Sequence, residues 1–261
     1  MIIPQAIKSI IGNRTYKMDT IGKSDSSVSI FHDMVLKVEK QCEESDNEHR
    51  MMKWLDGMLP VPKVLAFEKQ EGYSFLLMSR IEGSMSCDDY YLKTPHILAE
   101  LLSEGLKMLW DVDISQCPCL STTDVKLQQA LYNVQMGLVD INDAEPGTFG
   151  EGGFKNPEQL IQWLMDNKPR EDLVLSHGDF CLPNVFIKDN SISGFIDLGR
   201  MGIGDRYQDI ALCFRSLKKN LAGAYGGKAH GKIEDKLLFN SLGMTPDYEK
   251  IRYYILLDEL F

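Results

Sequence analysis

The chain has no run approaching the roughly 18 consecutive apolar residues that a membrane-crossing helix needs, so a spanning protein is not expected. Its start, Met1-Ile2-Ile3-Pro4-Gln5, has no basic stretch followed by an apolar one, and no export signal is read there. The six cysteines, at 42, 87, 117, 119, 181 and 213, form no pair of Cys-x-x-Cys motifs. That pattern excludes a disulfide framework or a zinc site and points to free thiols in a reducing, cytoplasmic setting. Positive charge is also lacking: a formal charge of −10 disfavours a nucleic-acid partner and favours cations. A Gly-x-Gly-x-x-Gly loop is missing too. Gly226-Gly227-Lys228-Ala229-His230-Gly231-Lys232 imitates the first seven positions of a P-loop, but Ile233 stands where the Mg²⁺-binding hydroxyl belongs. No strand precedes it, since Ile210–Leu221 reads as helix, so a surface loop is expected.

What the chain does contain is concentrated between residues 177 and 199: His177-Gly178-Asp179, then Asn184, then Asp197-Leu198-Gly199. The interval from Asp179 to Asn184 equals that of the kinase catalytic loop, and Asp-Leu-Gly is a conservative form of the metal-binding Asp-Phe-Gly. Phosphoryl transfer asks a protein to hold Mg²⁺ against phosphates and to aim a hydroxyl at phosphorus. Asn184 and Asp197 are hard oxygen donors suited to that ion, which leaves Asp179 to accept the hydroxyl proton. Leu173–Ser176, Val185–Ile187 and Gly194–Ile196 read as strands, with a turn at Asp189-Asn190. The three groups thus fall at strand ends and in the loops between them. Ordinary turn chemistry is the alternative for each half alone. His177 is read as fixing the catalytic loop by hydrogen bonds, Asp205 as capping a helix from Arg206, and Asp209 as bracing the loop. Cys181 is read as a small filler.

A chain of 261 residues, 44 % hydrophobic, suits two lobes with a real core. Strands are expected at Tyr16–Ile21, Ser27–Phe31, Met34–Val38, Lys63–Glu68 and Tyr73–Arg80, with a helix over Asp46–Met58. Beyond Gly83 the pattern is mainly helical. The lobes are therefore drawn as 1–82 for nucleotide and 83–261 for catalysis and substrate. Lys37 sits inside an apolar strand, where an unpaired charge would be costly to bury. It either points outward or reaches phosphates while paired to a helix carboxylate. Glu48 is the candidate, with Glu43 and Glu44 as substitutes. Ser45-Asp46-Asn47-Glu48 also fits a capping box. Yet Glu48 continues the stripe of Met51, Met52, Leu55 and Leu59, and so should face inward. Met51, Met52 and Met58 are expected in the core. The loop Gly22–Ser27 could cover phosphates through backbone N–H groups and hydroxyls such as Ser24, or be a plain hairpin turn.

With these residues assembled, the chain resembles the aminoglycoside phosphotransferases, most closely the 3′-phosphotransferases (kanamycin kinases). Asp172–Asp179, Pro183–Phe186 and Ser193–Arg200 carry the likeness, as do Met51–Leu55, Leu59–Val64, Leu76–Ser79 and the ending Asp247–Phe261. The resemblance implies an α+β, two-lobed protein-kinase-like fold: an N-terminal antiparallel sheet with one main helix and a larger, mainly helical C-terminal lobe. It implies transfer of the γ-phosphate of ATP or GTP, with Mg²⁺, to the 3′-hydroxyl of an aminoglycoside, giving antibiotic resistance. Carried over by position, Lys37 and Glu48 form the phosphate-binding pair, Asp179 is the base, and Asn184 and Asp197 hold the metal. Met78 to Ile81 form the linker, where backbone groups of Ser79 and Ile81 meet the adenine. Arg200, Asp258, Glu259 and Phe261 line the antibiotic site.

Carboxylates suit a polycation, and the loop bearing Asp140, Asp143 and Glu145 either adds to them or is a solvated polar loop. Where close members have acids after the Arg215-Ser216 helix, this chain has Lys218, Lys219 and Asn220, followed by a Gly-rich insertion around Ala222–Gly231. A monomer or weak dimer is expected, with neither nucleic acid nor membrane as partner. The competing readings are a kinase for another amino sugar or a choline-like metabolite, and a nucleotide-binding pseudoenzyme.

Overall fold

The structure is a computed structural model, and it describes residues 2–18, 26–231 and 234–261. After helix α1 (Gln5–Ile11) come β1 (Lys17–Met18), β2 (Ser27–Ile30), β3 (Met34–Lys40), α2 (Glu43–Leu55), β4 (Val64–Gln70) and β5 (Tyr73–Ser79). The strands form one antiparallel sheet in the order β1-β2-β3-β5-β4, with Lys37 opposite Val28 on one side and Leu76 on the other. Successive strand side chains face opposite ways. Met34, Leu36 and Val38 therefore pack with Phe75, Leu77, Ile7 and Ile11 on the α1 side. Val35, Leu76 and Met78 pack instead with Met51, Met52 and Leu55 of α2. This alternation delivers Lys37 to the face that α2 covers.

Helix α2 begins three residues earlier than expected. Cys42 is its N-cap: the Cys42 sulfur accepts from the Ser45 N–H at 3.4 Å and the Ser45 hydroxyl accepts from the Cys42 N–H at 3.2 Å. Ser45 is thus the third helical residue rather than the cap, and Glu48 lies a turn further in. The helix also stops at Leu55, so Met58 lies beyond it and is 49 % exposed, not core.

The remainder comprises β6 (Ser84–Met85), α3 (Asp89–Leu92), α4 (Pro95–Trp110), α5 (Thr123–Gln135), α6 (Pro157–Asp166), β7 (Leu173–Ser176), β8 (Val185–Lys188), β9 (Ser191–Phe195), β10 (Gly202–Asp205), α7 (Arg206–Leu221), α8 (Leu237–Leu242) and α9 (Tyr248–Asp258). Strands β6, β8 and β9 make a small antiparallel sheet, and β7 pairs with β10. The β8–β9 hairpin turns through Asp189 and Asn190, both with positive φ, as a two-residue turn matched to strand twist requires. One core runs from α2 through Leu98, Leu102 and Leu106 of α4 to Phe180, Phe195 and the buried faces of α7 and α9. The six cysteines are free thiols, and no helix among the described residues is long and apolar enough to cross a membrane.

Candidate active site

Three charged groups that are far apart in sequence meet where α2 faces the segment after β9. The Lys37 Nζ donates to Glu48 Oε2 at 2.8 Å and to Asp197 Oδ1 at 3.0 Å, with Glu39 at 3.7 Å. Burial opposes the ammonium, but Glu48, Asp197 and Glu39 together outweigh it and raise its pKa above the ordinary lysine value. Glu48 is buried, whereas the Asp197 side chain is half exposed. Asp197 has φ +61°, a conformation costly for a residue with a side chain and characteristic of functional positions. Of the substitutes, Glu44 instead accepts from Arg200 Nε at 3.0 Å.

The loop carrying Asp179 is held almost wholly through its backbone. Buried Asp209, on α7, accepts the N–H of His177 at 2.7 Å and that of Gly178 at 2.9 Å. The His177 Nδ1 accepts the Asp179 N–H at 3.3 Å, which assigns the proton to Nε2 for donation to the Ile196 carbonyl at 3.0 Å. Ser216 accepts the Leu182 N–H at 3.0 Å, and the Ser86 hydroxyl donates to the Leu182 carbonyl at 2.8 Å. Gly178 has φ +81°, and a Cβ there would lie 2.1 Å from the Arg200 carbonyl oxygen, so only glycine lets the two loops approach. Asp205 caps α7 by accepting from the Tyr207 N–H.

Asn184 Nδ2 donates to both the carbonyl and Oδ2 of Asp179, each at 2.9 Å. This fixes the amide and turns its oxygen away from Asp179. The Ile196 N–H, next to Asp197, donates to the Asn184 carbonyl at 3.0 Å, so the two candidate metal ligands sit side by side. No group of three or more His, Cys, Asp or Glu among the described residues could cage an ion. One carboxylate and one amide oxygen instead suit Mg²⁺, which takes few protein ligands beside phosphate and water. Burial, and then Asp179, push the Cys181 thiol well above its usual range, which removes it as a nucleophile.

The cluster at the end of α9 differs. Asp258 and Glu259, at the end of α9, are both engaged by Arg215 of α7, which bonds Asp258 Oδ2 and lies 3.3 Å from Glu259 Oε1. Arg200 lies 3.5 Å from Asp258 Oδ1 and 5.3 Å from the centre of the Phe261 ring. Glu259 Oε2 accepts the Glu145 N–H at 2.8 Å, and Lys219 approaches Glu145 Oε1 at 2.5 Å. Lys126, buried on α5, donates to the Gly178 carbonyl at 3.4 Å and sits 5.4 Å from the Phe261 ring.

Glu145, Arg200, Asp258, Glu259 and Phe261 are thus brought together, while Asp143 is exposed on its loop. At the end of β5, the Ser79 N–H is given to the Lys63 carbonyl at 2.8 Å. Met78 is buried in the sheet, and Ile81 packs over Gly194. Ser24 lies outside the described residues. Arg215 and Lys126 are the site residues that sequence reasoning missed. The signal for Arg215 was the adjacent acid pair Asp258-Glu259, which needs a counter-ion once half-buried.

A model of the phosphotransferase enzyme family matches residues 6–251. The chain belongs to this family. Aminoglycoside 3′-phosphotransferases from Enterococcus faecalis and Staphylococcus aureus are 43 % and 42 % identical to it, each over 83 % of this chain and 78 % and 79 % of their own lengths. Among solved structures, an aminoglycoside 3′-phosphotransferase of type VIII superposes with a TM-score of 0.80 at 23 % identity, covering 98 % of both chains. An aminoglycoside phosphotransferase from Streptomyces rimosus, solved with ADP and streptomycin, gives 0.79 at 22 % identity, over 97 % of this chain and 95 % of its own. These likenesses establish the two-lobed, kinase-like α+β fold for this family member.

Proposed function

We propose that the chain transfers the γ-phosphate of ATP to the 3′-hydroxyl of an aminoglycoside. The observation that carries this reading is the Lys37 ammonium bridging Glu48 and Asp197 beside the Asp179–Asn184 pair. The 3′-phosphotransferase relatives named above support the acceptor. Lys37, held by Glu48, neutralises the α- and β-phosphates. Asn184 and Asp197 are the residues that would hold Mg²⁺, which when bound neutralises charge on the phosphate oxygens. Asp179 accepts the proton of the 3′-hydroxyl as the new O–P bond forms and the bond from phosphorus to the β,γ-bridging oxygen breaks, releasing ADP. His177 and Asp209 set the position of Asp179 without touching substrate.

We draw the lobe boundary at Gly83. The sheet ends at Ser79 and the next strand, β6, pairs with β8 of the catalytic hairpin, which supports that division. The test is ADP release with Mg·ATP over aminoglycosides that have or lack a 3′-hydroxyl. Kanamycin should be turned over and 3′-deoxy tobramycin should not. Equal, low release with every compound would overturn the reading.

A further inference from the structure

The acceptor end of the cleft has a feature that a polycation site does not need. Its three carboxylates, Glu145, Asp258 and Glu259, already face three cations of the chain itself: Arg200, Arg215 and Lys219. The cations are not equivalent. Arg215 is anchored by Asp258 and Glu259 at once, and Arg200 by Glu44 and Asp258. For both arginines burial opposes the charge, yet Asp258 and the other acids outweigh it and raise the pKa. Arg215 cannot leave without stranding the partly buried pair Asp258 and Glu259, and Arg200 is tied at two points.

Lys219 is held differently. It reaches a single close carboxylate oxygen, Glu145 Oε1, from the last turn of α7. That oxygen is buried, and among the described residues its close cations are Lys219 at 2.5 Å and, more distantly, Arg215 at 3.9 Å. The Lys219 ammonium also lies 5.8 Å from the centre of the Tyr225 ring, in the Gly-rich segment. The lysine side chain is a third exposed and has a flexible four-carbon stem. Its neighbour Lys218 shows the outward alternative, pairing with Asp235 at 2.9 Å.

We propose that Lys219 is a tethered competitor for a substrate ammonium at Glu145, and so a specificity-determining residue of the acceptor site. The proposal deepens the reading given under Proposed function and rests on it for the identity of the substrate class. An amine that docks on Glu145 must first displace Lys219, whereas an acceptor whose amines lie elsewhere pays no such cost. The lysine thus narrows the range of polycations rather than the chemistry performed on them.

The experiment measures KM for kanamycin, and its affinity for nucleotide-free protein by calorimetry, in wild type, Lys219→Met, Glu145→Gln and the double variant. Methionine keeps the stem over Tyr225 and removes the charge. Lys219→Met should bind kanamycin about two- to fivefold more tightly and lower KM to match, the scale of one partly exposed ion pair. In the Glu145→Gln background the same substitution should change affinity less than twofold. Unchanged or weaker binding by Lys219→Met, or an equal gain in both backgrounds, would overturn the proposal. Lys219→Gln gives the same readout should the methionine variant fold poorly, which thermal melting decides. Absence of turnover with every aminoglycoside would remove the functional reading, while the calorimetric cycle would still decide the role of Lys219.

Discussion

The two ends of the cleft are built from different materials. At the phosphoryl end, Asp209, His177, Ser216 and Ser86 fix the catalytic loop by hydrogen bonds to its main chain, and all four are buried. At the other end, the proposed acceptor site, Arg200, Arg215 and Lys219 meet Glu145, Asp258 and Glu259 side chain to side chain, all of them partly exposed. Main-chain anchors hold a reacting group to within a fraction of an ångström, which positioning for phosphoryl transfer demands. Ion pairs among long side chains are individually weak and rearrange at low cost. One end is thus held rigidly, and the other by contacts that rearrange more easily.

The largest effect that sharpens this contrast is on chemistry. Asp179→Asn keeps an acceptor for Asn184 Nδ2 but cannot take the hydroxyl proton, so kcat should fall by at least about 10²-fold. KM for ATP should change little, because Lys37 and Asp197 are untouched. Steady-state kinetics at saturating kanamycin reads this, and near-wild-type kcat would strip Asp179 of its role.

Next in size is the brace. Asp209→Ala leaves the buried N–H of His177 without its acceptor and that of Gly178 with only the Ser176 hydroxyl at 3.2 Å, at a cost of about 1–3 kcal/mol in unfolding free energy. Urea denaturation measures the loss, and kcat should fall with it while KM for kanamycin moves less than twofold. A variant with wild-type stability would show that the loop is held from elsewhere, and the contrast between the two ends would lose its main support.

How much of this was legible in the sequence follows the same division. Asp179, Asn184 and Asp197 lie within 20 residues on a strand-turn-strand pattern, and short-range spacing expressed their geometry. The stripe of α2 likewise predicted that Glu48 would face inward; whether Lys37 met it or pointed outward was left open, and the two lie 2.8 Å apart. Asp205 and Asp209 were readable because capping and bracing act from the first turn of a helix that follows directly. The start of α2 was misread because a cysteine sulfur caps it, outside the usual Ser, Thr, Asp and Asn preference.

The acceptor network was opaque for a deeper reason. Arg215 and Lys126 reach it from α7 and α5, and ion pairs between separate elements leave no period in the chain. Lys219 stood out in the sequence only as a departure from the expected acids. Its partner, Glu145, is 74 positions away and visible only in three dimensions.

The smallest predicted effect tests where the two ends join. Lys126 touches both the Gly178 carbonyl and the Phe261 ring. Burial first, and then the Arg200 charge, push its pKa down to about 8, against the pull of Asp258, Asp209 and Asp179. The unfolded chain holds that proton up to about 10.5. Below pH 8 both states are protonated, and the folded protein bears the full cost of a buried ammonium. Between pH 8 and 10.5 the unfolded state binds the extra proton, so this contribution to stability improves as pH rises. Lys126→Met removes the buried charge. Allowing for the lost contacts, it should stabilise the protein by about 1–2 kcal/mol at pH 7, with the advantage shrinking as pH approaches 10.5. Urea midpoints of both proteins at pH 7 and pH 9.5 give the comparison. A variant less stable at pH 7 by an amount that does not vary with pH would mean that the ammonium is a structural tie between the ends, holding the catalytic loop against the acceptor site at a net gain.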